Sequence, residues 1–178
     1  LNGQAQNLGT VEQDGIDLNV GYDFETRLGQ VTTGVAWTEI LNLKQTLSPT
    51  SGLLDVLDTL NNPVSRRIRG NLGLRRGPVN ANLFVNYVGG YTNTAPITVN
   101  GVRRPVEEID SWTTLDANVS WFAPDDAMPW VRGVRVSLSV QNLTDEDPNV
   151  VLTGTNAFDT QQANPYGRIW SFEVTKSF

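Results

Sequence analysis

The sequence predicts an all-β fold, an antiparallel meander of about seven long strands that forms part of a transmembrane β-barrel. Two features of the 178-residue chain lead to this prediction. Apolar and polar residues alternate along several long segments, as in strands whose two faces meet different surroundings. The connections between these segments are short and long in turn, like the periplasmic turns and extracellular loops of outer-membrane barrels.

The first predicted hairpin has the clearest alternation in the chain. Between residues 16 and 28, apolar residues occupy even positions and polar or charged residues occupy odd positions. The apolar set is Ile16, Leu18, Val20, Tyr22, Phe24 and Leu28, and the polar set is Asp17, Asn19, Asp23, Glu25 and Arg27. A short turn at Gly29 and Gln30 leads to a second strand, in which Val31, Val35 and Trp37 share a face. The pattern therefore predicts an antiparallel pair.

Five further strands are predicted to begin near residues 66, 80, 112, 132 and 166. Short connections lie at 29, 77 and 124–130, and long connections lie at 47–64, 93–110 and 143–165. In the long connections, Ser51 is expected to cap one helical turn, and a small hairpin is expected around Asn100 and Gly101. Strands of about twelve residues exceed the usual five or six of a soluble β-sandwich, so the barrel is favoured over that fold.

Aromatic residues and the closing strand agree with a membrane-facing wall. Tyr22, Trp37, Tyr87, Tyr91 and Trp121 share the apolar parity, several of them near strand ends where aromatic girdles lie. In the last segment, Trp170, Phe172, Val174 and Phe178 fall on one side, and Ser171, Glu173, Thr175 and Ser177 fall on the other. Because the alternation continues to the final residue, we expect this strand to be paired in the sheet and to close a barrel.

Composition excludes several classes of function. The chain has no Cys and no His, which removes disulfides, thiol catalysis and the commonest zinc ligands. Its net charge of -6 argues against binding to nucleic acid, because phosphate contacts need clustered Lys and Arg. No run of about 18 apolar residues is present, so no membrane-spanning helix is predicted. We therefore expect no catalytic residue, no cofactor and no nucleic-acid partner.

Three arginines are the candidate functional residues of the predicted wall. Arg67, Arg69 and Arg75 lie on the polar parity of the third strand and could line the lumen of a barrel. There they could meet an acidic partner surface or an anionic substrate. Solvated wall charges paired with neighbouring Asp and Glu residues are the favoured interpretation, because lumen faces are generally polar.

Other polar clusters carry weaker predictions. Asp145, Glu146, Asp147 and Asn149 offer oxygen ligands for Ca²⁺ but lack the spacing of an EF-hand loop, so a turn is favoured and no metal site is predicted. In the last long connection, Asn156, Phe158, Gln161 and Gln162 could contact a ligand, although simple connection is the default. A soluble carbohydrate-binding β-sandwich remains the alternative function. A hydrolase would need paired carboxylates among Asp17, Asp23, Glu25 and Asp116, and no motif supports it.

Two short motifs resemble a known family. An Asn-Leu-x-Asp element follows the sixth predicted strand at Asn142, Leu143, Thr144 and Asp145, and a Gly-Arg pair opens the last strand at Gly167 and Arg168. Near the start, Gly15, Ile16 and Asp17 precede the alternation. With an aromatic residue closing the chain, these elements resemble the C-terminal part of the TonB-dependent receptor family of bacterial outer membranes.

The resemblance implies a fold, a location and an activity. It implies that residues 1–178 are the C-terminal portion of a barrel of about 22 strands whose plug domain and earlier strands are absent. It implies energy-coupled uptake of a bulky ligand such as a ferric siderophore, a cobalamin or an oligosaccharide across a Gram-negative outer membrane. The implied partners are outer-membrane lipid, the TonB complex acting through the absent plug, and the barrel-assembly machinery, which would recognise Trp170, Phe172, Val174 and Phe178. The free edges of such a fragment would favour self-association.

Overall fold

The computed structural model describes residues 9–46, 51–95, 98–99, 101–152 and 157–177. Seven long strands cover Val11–Thr26, Gly29–Gln45, Arg66–Arg76, Val79–Val88, Trp112–Phe122, Val134–Gln141 and Ile169–Lys176. Five short strands cover Leu54–Asp55, Tyr91–Asn93, Thr98–Val99, Val102–Arg103 and Glu107–Ile109. The described residues contain no helix long and apolar enough to cross a membrane.

The seven long strands form one antiparallel sheet in which each strand pairs with the next along the chain. The predicted meander is therefore confirmed. All long connections consequently lie at one end of the sheet and all short connections at the other. Within the described ranges no second sheet covers either face of the meander, so the β-sandwich alternative is not formed. The sheet is open, with the first and seventh long strands at its edges.

Several local predictions need correction. The first turn lies at residues 27–28, because the strands already pair at Thr26 and Gly29. The helical turn predicted from Ser51 is wrong: Leu54 and Asp55 instead pair with the end of the second long strand. The second long strand continues to Gln45, whereas its pairing with the third long strand ends at Glu39. The backbone groups of its last residues are therefore available for pairing with Leu54 and Asp55. The predicted small hairpin is formed by Thr98–Val99 and Val102–Arg103, although Asn100 lies outside the described residues.

The strand register aligns apolar residues into continuous rows across the sheet. Paired neighbours on one face include the row Tyr22, Thr33, Leu72, Leu83, Ala117, Val140 and Trp170. The next row is Phe24, Val31, Leu74, Ala81, Val119, Leu138 and Phe172. This face is uncovered, and Tyr22 and Phe172 are 65% and 70% exposed. A single apolar face of this extent is the pattern of a barrel wall that meets lipid.

A β-bulge sets which residues of the first hairpin belong to this face. The register of the first two long strands shifts between Asp14 and Gly15, leaving Leu41 without a directly paired residue. A Cβ atom at position 15 would lie only 2.6 Å from the Glu39 carbonyl oxygen, so the close approach requires glycine. The shift matters because a change of one residue moves a strand's side chains to the opposite face.

The largest cluster of buried apolar residues lies in the long connections rather than on the sheet. Its members are Leu60 and Val64 from the first, Tyr91 and Ile109 from the second, and Val151 from the third. The prediction that Tyr91 lies on the lipid-facing parity is therefore wrong. Tyr91 begins a short strand paired with Glu107–Ile109, after the fourth long strand has ended at Val88. The three connections thus pack together at one end of the sheet.

Candidate functional site

The polar face of the sheet carries the three predicted arginines. Arg67 lies in a row with Asp17, Thr38, Val88 and Trp112, and Arg69 and Arg75 share its parity. Among the described residues, ion pairs join only Arg66 to Glu39 and Arg168 to Asp145. The expected pairing of these arginines with neighbouring carboxylates is therefore not formed. Instead, the Arg69 guanidinium lies 4.7 Å from the centre of the Phe84 ring.

The third long connection folds back over Arg67. The Arg67 Nη2 donates to the side-chain oxygen of Gln162 and, at 3.5 Å, to the backbone oxygen of Gln161. The Gln162 Nε2 donates at 2.9 Å to the backbone oxygen of Asn62 in the first long connection. Gln162 is only 8% exposed. We call this arrangement of Arg67, Gln162 and Asn62 the clasp. The Gln162 side chain belongs to the third long connection and bonds both the sheet, at Arg67, and the first long connection, at Asn62.

A cavity of about 430 Å³ lies between the clasp and the sheet. Its wall includes Arg67, Asn86, Trp112 and Asp116, and its cover is formed by residues 160–164 with Gly167. Both carboxylate oxygens of Asp116 are engaged: Oδ2 accepts from Asn86 Nδ2 at 2.8 Å, and Oδ1 accepts from the Asn142 backbone nitrogen at 3.0 Å. This volume is within the range of small-ligand pockets. The predicted mouth residues Gln161 and Gln162 therefore line a cavity, whereas Asn156 lies outside the described residues.

Hydrogen bonds lock the long connections to one another. Asn93 donates to the Leu152 backbone oxygen at 3.0 Å, and Asn149 donates to the Asp110 backbone oxygen at 2.6 Å. Burial, and secondly the nearby Asp159 carboxylate, raise the pKa of the Tyr91 hydroxyl well above its ordinary value. The Tyr91 phenol therefore stays protonated under ordinary conditions. These contacts make the long-connection end of the sheet a packed cap rather than a set of separate loops.

The family-like motifs form one brace between the sixth and seventh long strands. Asn142 adopts a φ of +51°, and its side-chain amide bonds both backbone groups of Glu146, each at 2.9 Å. The Asp145 carboxylate accepts from the Arg168 backbone nitrogen at 2.8 Å and faces the Arg168 guanidinium at 3.4 Å. At Gly167, with a φ of +62°, a Cβ would lie 3.0 Å from Asp145 Oδ1. The two motifs, 22 or more residues apart in sequence, thus hold each other in place.

The closing strand presents its predicted residues to the apolar face. Trp170, Phe172 and Val174 pair with Val140, Leu138 and Val136 and are all exposed. Phe178 lies outside the described residues. Lys176 has the same parity, and its ammonium donates to the Trp130 backbone oxygen at 2.7 Å. This contact links the end of the strand to the connection between the fifth and sixth long strands.

One polar group on the apolar face was missed by the sequence reasoning. Arg66 forms a two-point contact with Glu39, with Nε–Oε2 and Nη2–Oε1 distances of 2.7 and 2.9 Å. Trp37 donates to the same carboxylate at 3.0 Å. Glu39 follows Trp37 at the same parity, and that spacing could have revealed it. The group lies at the long-connection end of the apolar face, where pairing of the second and third long strands ends.

The remaining carboxylates are not gathered into a reaction centre. The first long strand carries Asp17, Asp23 and Glu25, whereas Asp116 lies on the fifth. The Asp17 carboxylate accepts a hydrogen bond from the Thr38 hydroxyl at 2.6 Å. Within the described ranges, no group of three or more Asp or Glu residues is arranged to hold a metal ion. The Asp145–Asp147 segment instead serves the turn and the brace. The geometry is that of a wall, a cap and a cavity.

Comparison with protein-family models matches residues 1–143 to a family described as TonB dependent receptor-like, beta-barrel. The match includes the first six long strands and the first two residues of the Asn-Leu-x-Asp element, Asn142 and Leu143. It ends before the Gly-Arg pair and the closing strand. Searches of curated proteins and of solved structures give no match.

Proposed function

The chain belongs to the TonB-dependent receptor family as part of its β-barrel, and on this premise we propose that it forms the C-terminal wall of a receptor for energy-coupled uptake of a bulky ligand. Members of this family are outer-membrane receptors and transporters. The observation that carries the proposal is the uncovered apolar face across all seven long strands, opposite a polar face whose arginines Arg67, Arg69 and Arg75 form no ion pair within the described residues. A ferric siderophore, a cobalamin or an oligosaccharide is the class of ligand proposed.

The described residues have three roles in this function. The apolar rows hold the wall in the outer membrane of a Gram-negative bacterium. The packed cap, with the cavity beneath the clasp, receives ligand on the extracellular side. The polar rows face the lumen, where Arg69 and Arg75 meet the surface of a plug supplied by another part of the receptor. Energy enters through the plug and the TonB complex, so this part of the chain supplies binding and guidance rather than catalysis.

Growth of a deletion strain tests the proposed function. The gene is deleted, and growth is compared when iron as a ferric siderophore, cobalamin, or an oligosaccharide is limiting. We expect a defect in one of these conditions, an equal defect when the TonB complex is lost, and rescue by the intact gene. Normal growth and normal ligand uptake in all conditions, with the protein absent from the outer-membrane fraction of the parent strain, would overturn the proposal.

The exposed aromatic residues of the closing strand are proposed as the signal for barrel assembly. Replacing Phe172 and Phe178 with serine in the intact receptor is expected to reduce the folded barrel in the outer membrane about tenfold. Ser171→Ala with Glu173→Gln, on the opposite face, serves as the matched control and is expected to have little effect. Heat-modifiable gel mobility measures the folded fraction. Because lost lipid contact alone would also impair folding in detergent, an equal defect in cells and in detergent would contradict a recognition role.

A further inference from the structure

Arg67 has more hydrogen-bonding capacity than the structure uses. A guanidinium has five donor hydrogens on three nitrogens, yet among the described residues Arg67 donates only through Nη2. Both acceptors are neutral amide oxygens, from Gln161 and Gln162. Arg67 also borders the cavity beneath the third long connection. Arg67 is thus an exposed cation at the edge of the cavity that forms no ion pair within the described residues.

We propose that this cavity binds an anionic group of the ligand at Arg67, and that binding displaces Gln162 and releases the third long connection from the wall. This inference rests on the proposed uptake function and adds to it the charge of the ligand and the contact that responds to it. A carboxylate or a phosphate group supplies the required chemistry, because either can accept two parallel hydrogen bonds from the guanidinium fork.

The anion is preferred over the amide for an electrostatic reason. The bond from the guanidinium to the Gln162 amide oxygen is charged on the donor side only, whereas an anion adds Coulombic attraction and can accept two such bonds in parallel. The other charged residue of the cavity wall, Asp116, lies four residues further along the strands, in the row of Phe84 rather than that of Val88. Four residues correspond to roughly 13 Å along a strand. Both carboxylate oxygens of Asp116 already accept hydrogen bonds, from Asn86 and from the Asn142 backbone nitrogen, so its charge is compensated where it lies.

Release of the connection follows from the position of Gln162. Its side chain is buried, and it bonds the wall through Arg67 and the first long connection through the backbone oxygen of Asn62. Both bidentate faces of the guanidinium include Nη2, so an anion that accepts two parallel hydrogen bonds competes there with the amide oxygen of Gln162, which then loses its donor. A buried polar atom without a partner is unfavourable, so the side chain must move into water. Movement of Gln162 also breaks its bond to Asn62, and the clasp opens.

The experiment uses the intact receptor in detergent, with an environment-sensitive fluorophore on a Tyr166→Cys variant. Tyr166 is exposed, lies in the same connection, and does not line the cavity, and this chain has no other cysteine. Inorganic phosphate and citrate are titrated at constant ionic strength against potassium chloride. We expect a saturable change in fluorescence with phosphate or citrate and none with chloride. An equal response to chloride would overturn the proposal.

Three variants separate the clasp from general effects of charge. Arg67→Gln is expected to abolish the response to phosphate and citrate. Gln162→Ala removes both contacts of the clasp, so its fluorescence is expected to start near the anion-saturated value of the parent and to change little on titration. Arg76→Gln, at the opposite end of the same strand and outside the cavity lining, is the matched control and should respond like the parent.

Folding and uptake are measured separately in each variant. Heat-modifiable mobility verifies that each barrel is folded before the titration is interpreted. A full response in folded Arg67→Gln would overturn the inference even if the deletion strain still shows an uptake defect. Conversely, a normal deletion strain combined with an Arg67-dependent response would contradict the uptake function and leave the anion site intact.

Discussion

Replacing Leu83 with arginine is expected to lower the free energy of unfolding of the receptor barrel by about 2–4 kcal/mol, the range for a basic residue at the bilayer midplane of a barrel. Leu83 lies at the middle of the fourth long strand, halfway between Val79 and Tyr87 on the apolar parity. Its row runs through Leu72 and Ala117 to Trp170. An arginine there must leave its charge in hydrocarbon or bend toward an interface, and both are unfavourable.

The matched control for this substitution is the adjacent residue. Asn82→Arg makes the same chemical change on the polar face, in the row of Gly73 and Asn118. We expect it to change the free energy of unfolding by less than about 1 kcal/mol, since lumen-facing positions are solvated. Urea titration of the barrel in lipid vesicles, followed by tryptophan fluorescence, gives both values. Equal losses for the two variants would mean that the faces are not lipid and lumen, and the wall interpretation would fail.

The strands could be predicted because their signal is local. Alternation with a period of two follows directly from strand geometry, so each long strand is visible in its own residues. The bulge at Gly15 was not predicted, since the approach of its backbone to Glu39 depends on pairing with a strand that comes later. The packing of the cap was not predicted for the same reason. Leu60, Tyr91 and Val151 come from three different connections and share no periodic spacing.

The candidate site shows the same limit. Parity alone predicted Arg67 on the polar face, and the register puts it in a row with Asp17 and Thr38. Its partner Gln162 lies 95 residues away, and no pattern in the sequence relates the two positions. The polar loop residues were recognised as a possible ligand contact, but their role in closing a cavity requires the folded connection. The sequence thus identified Arg67 as a candidate, and the structure identified Gln162 as the side chain that contacts it.

The Asn142 brace provides the second large expected effect. Asn142→Ala should lower the free energy of unfolding by about 2–3 kcal/mol. Two hydrogen bonds to Glu146 are lost, at about 1 kcal/mol each, and alanine is disfavoured at a φ of +51° by about 1 kcal/mol. Asn142→Gly loses the same hydrogen bonds but adopts this φ readily. We therefore expect glycine to be less destabilising than alanine by about 1 kcal/mol, measured by the same urea titration.

The expected order at position 142, with alanine more destabilising than glycine, distinguishes this turn from the interior of a strand. In the interior of a strand, glycine is the more destabilising of the two residues, because it adds backbone entropy to the unfolded chain and packs no side chain. Thr144→Ala is the control, since Thr144 is exposed within the same turn and should change stability by less than about 0.5 kcal/mol. If alanine were tolerated better than glycine at position 142, the positive φ would not govern this turn. The motif would then act through the Asp145–Arg168 contact alone, and Asp145→Asn would become the more damaging change.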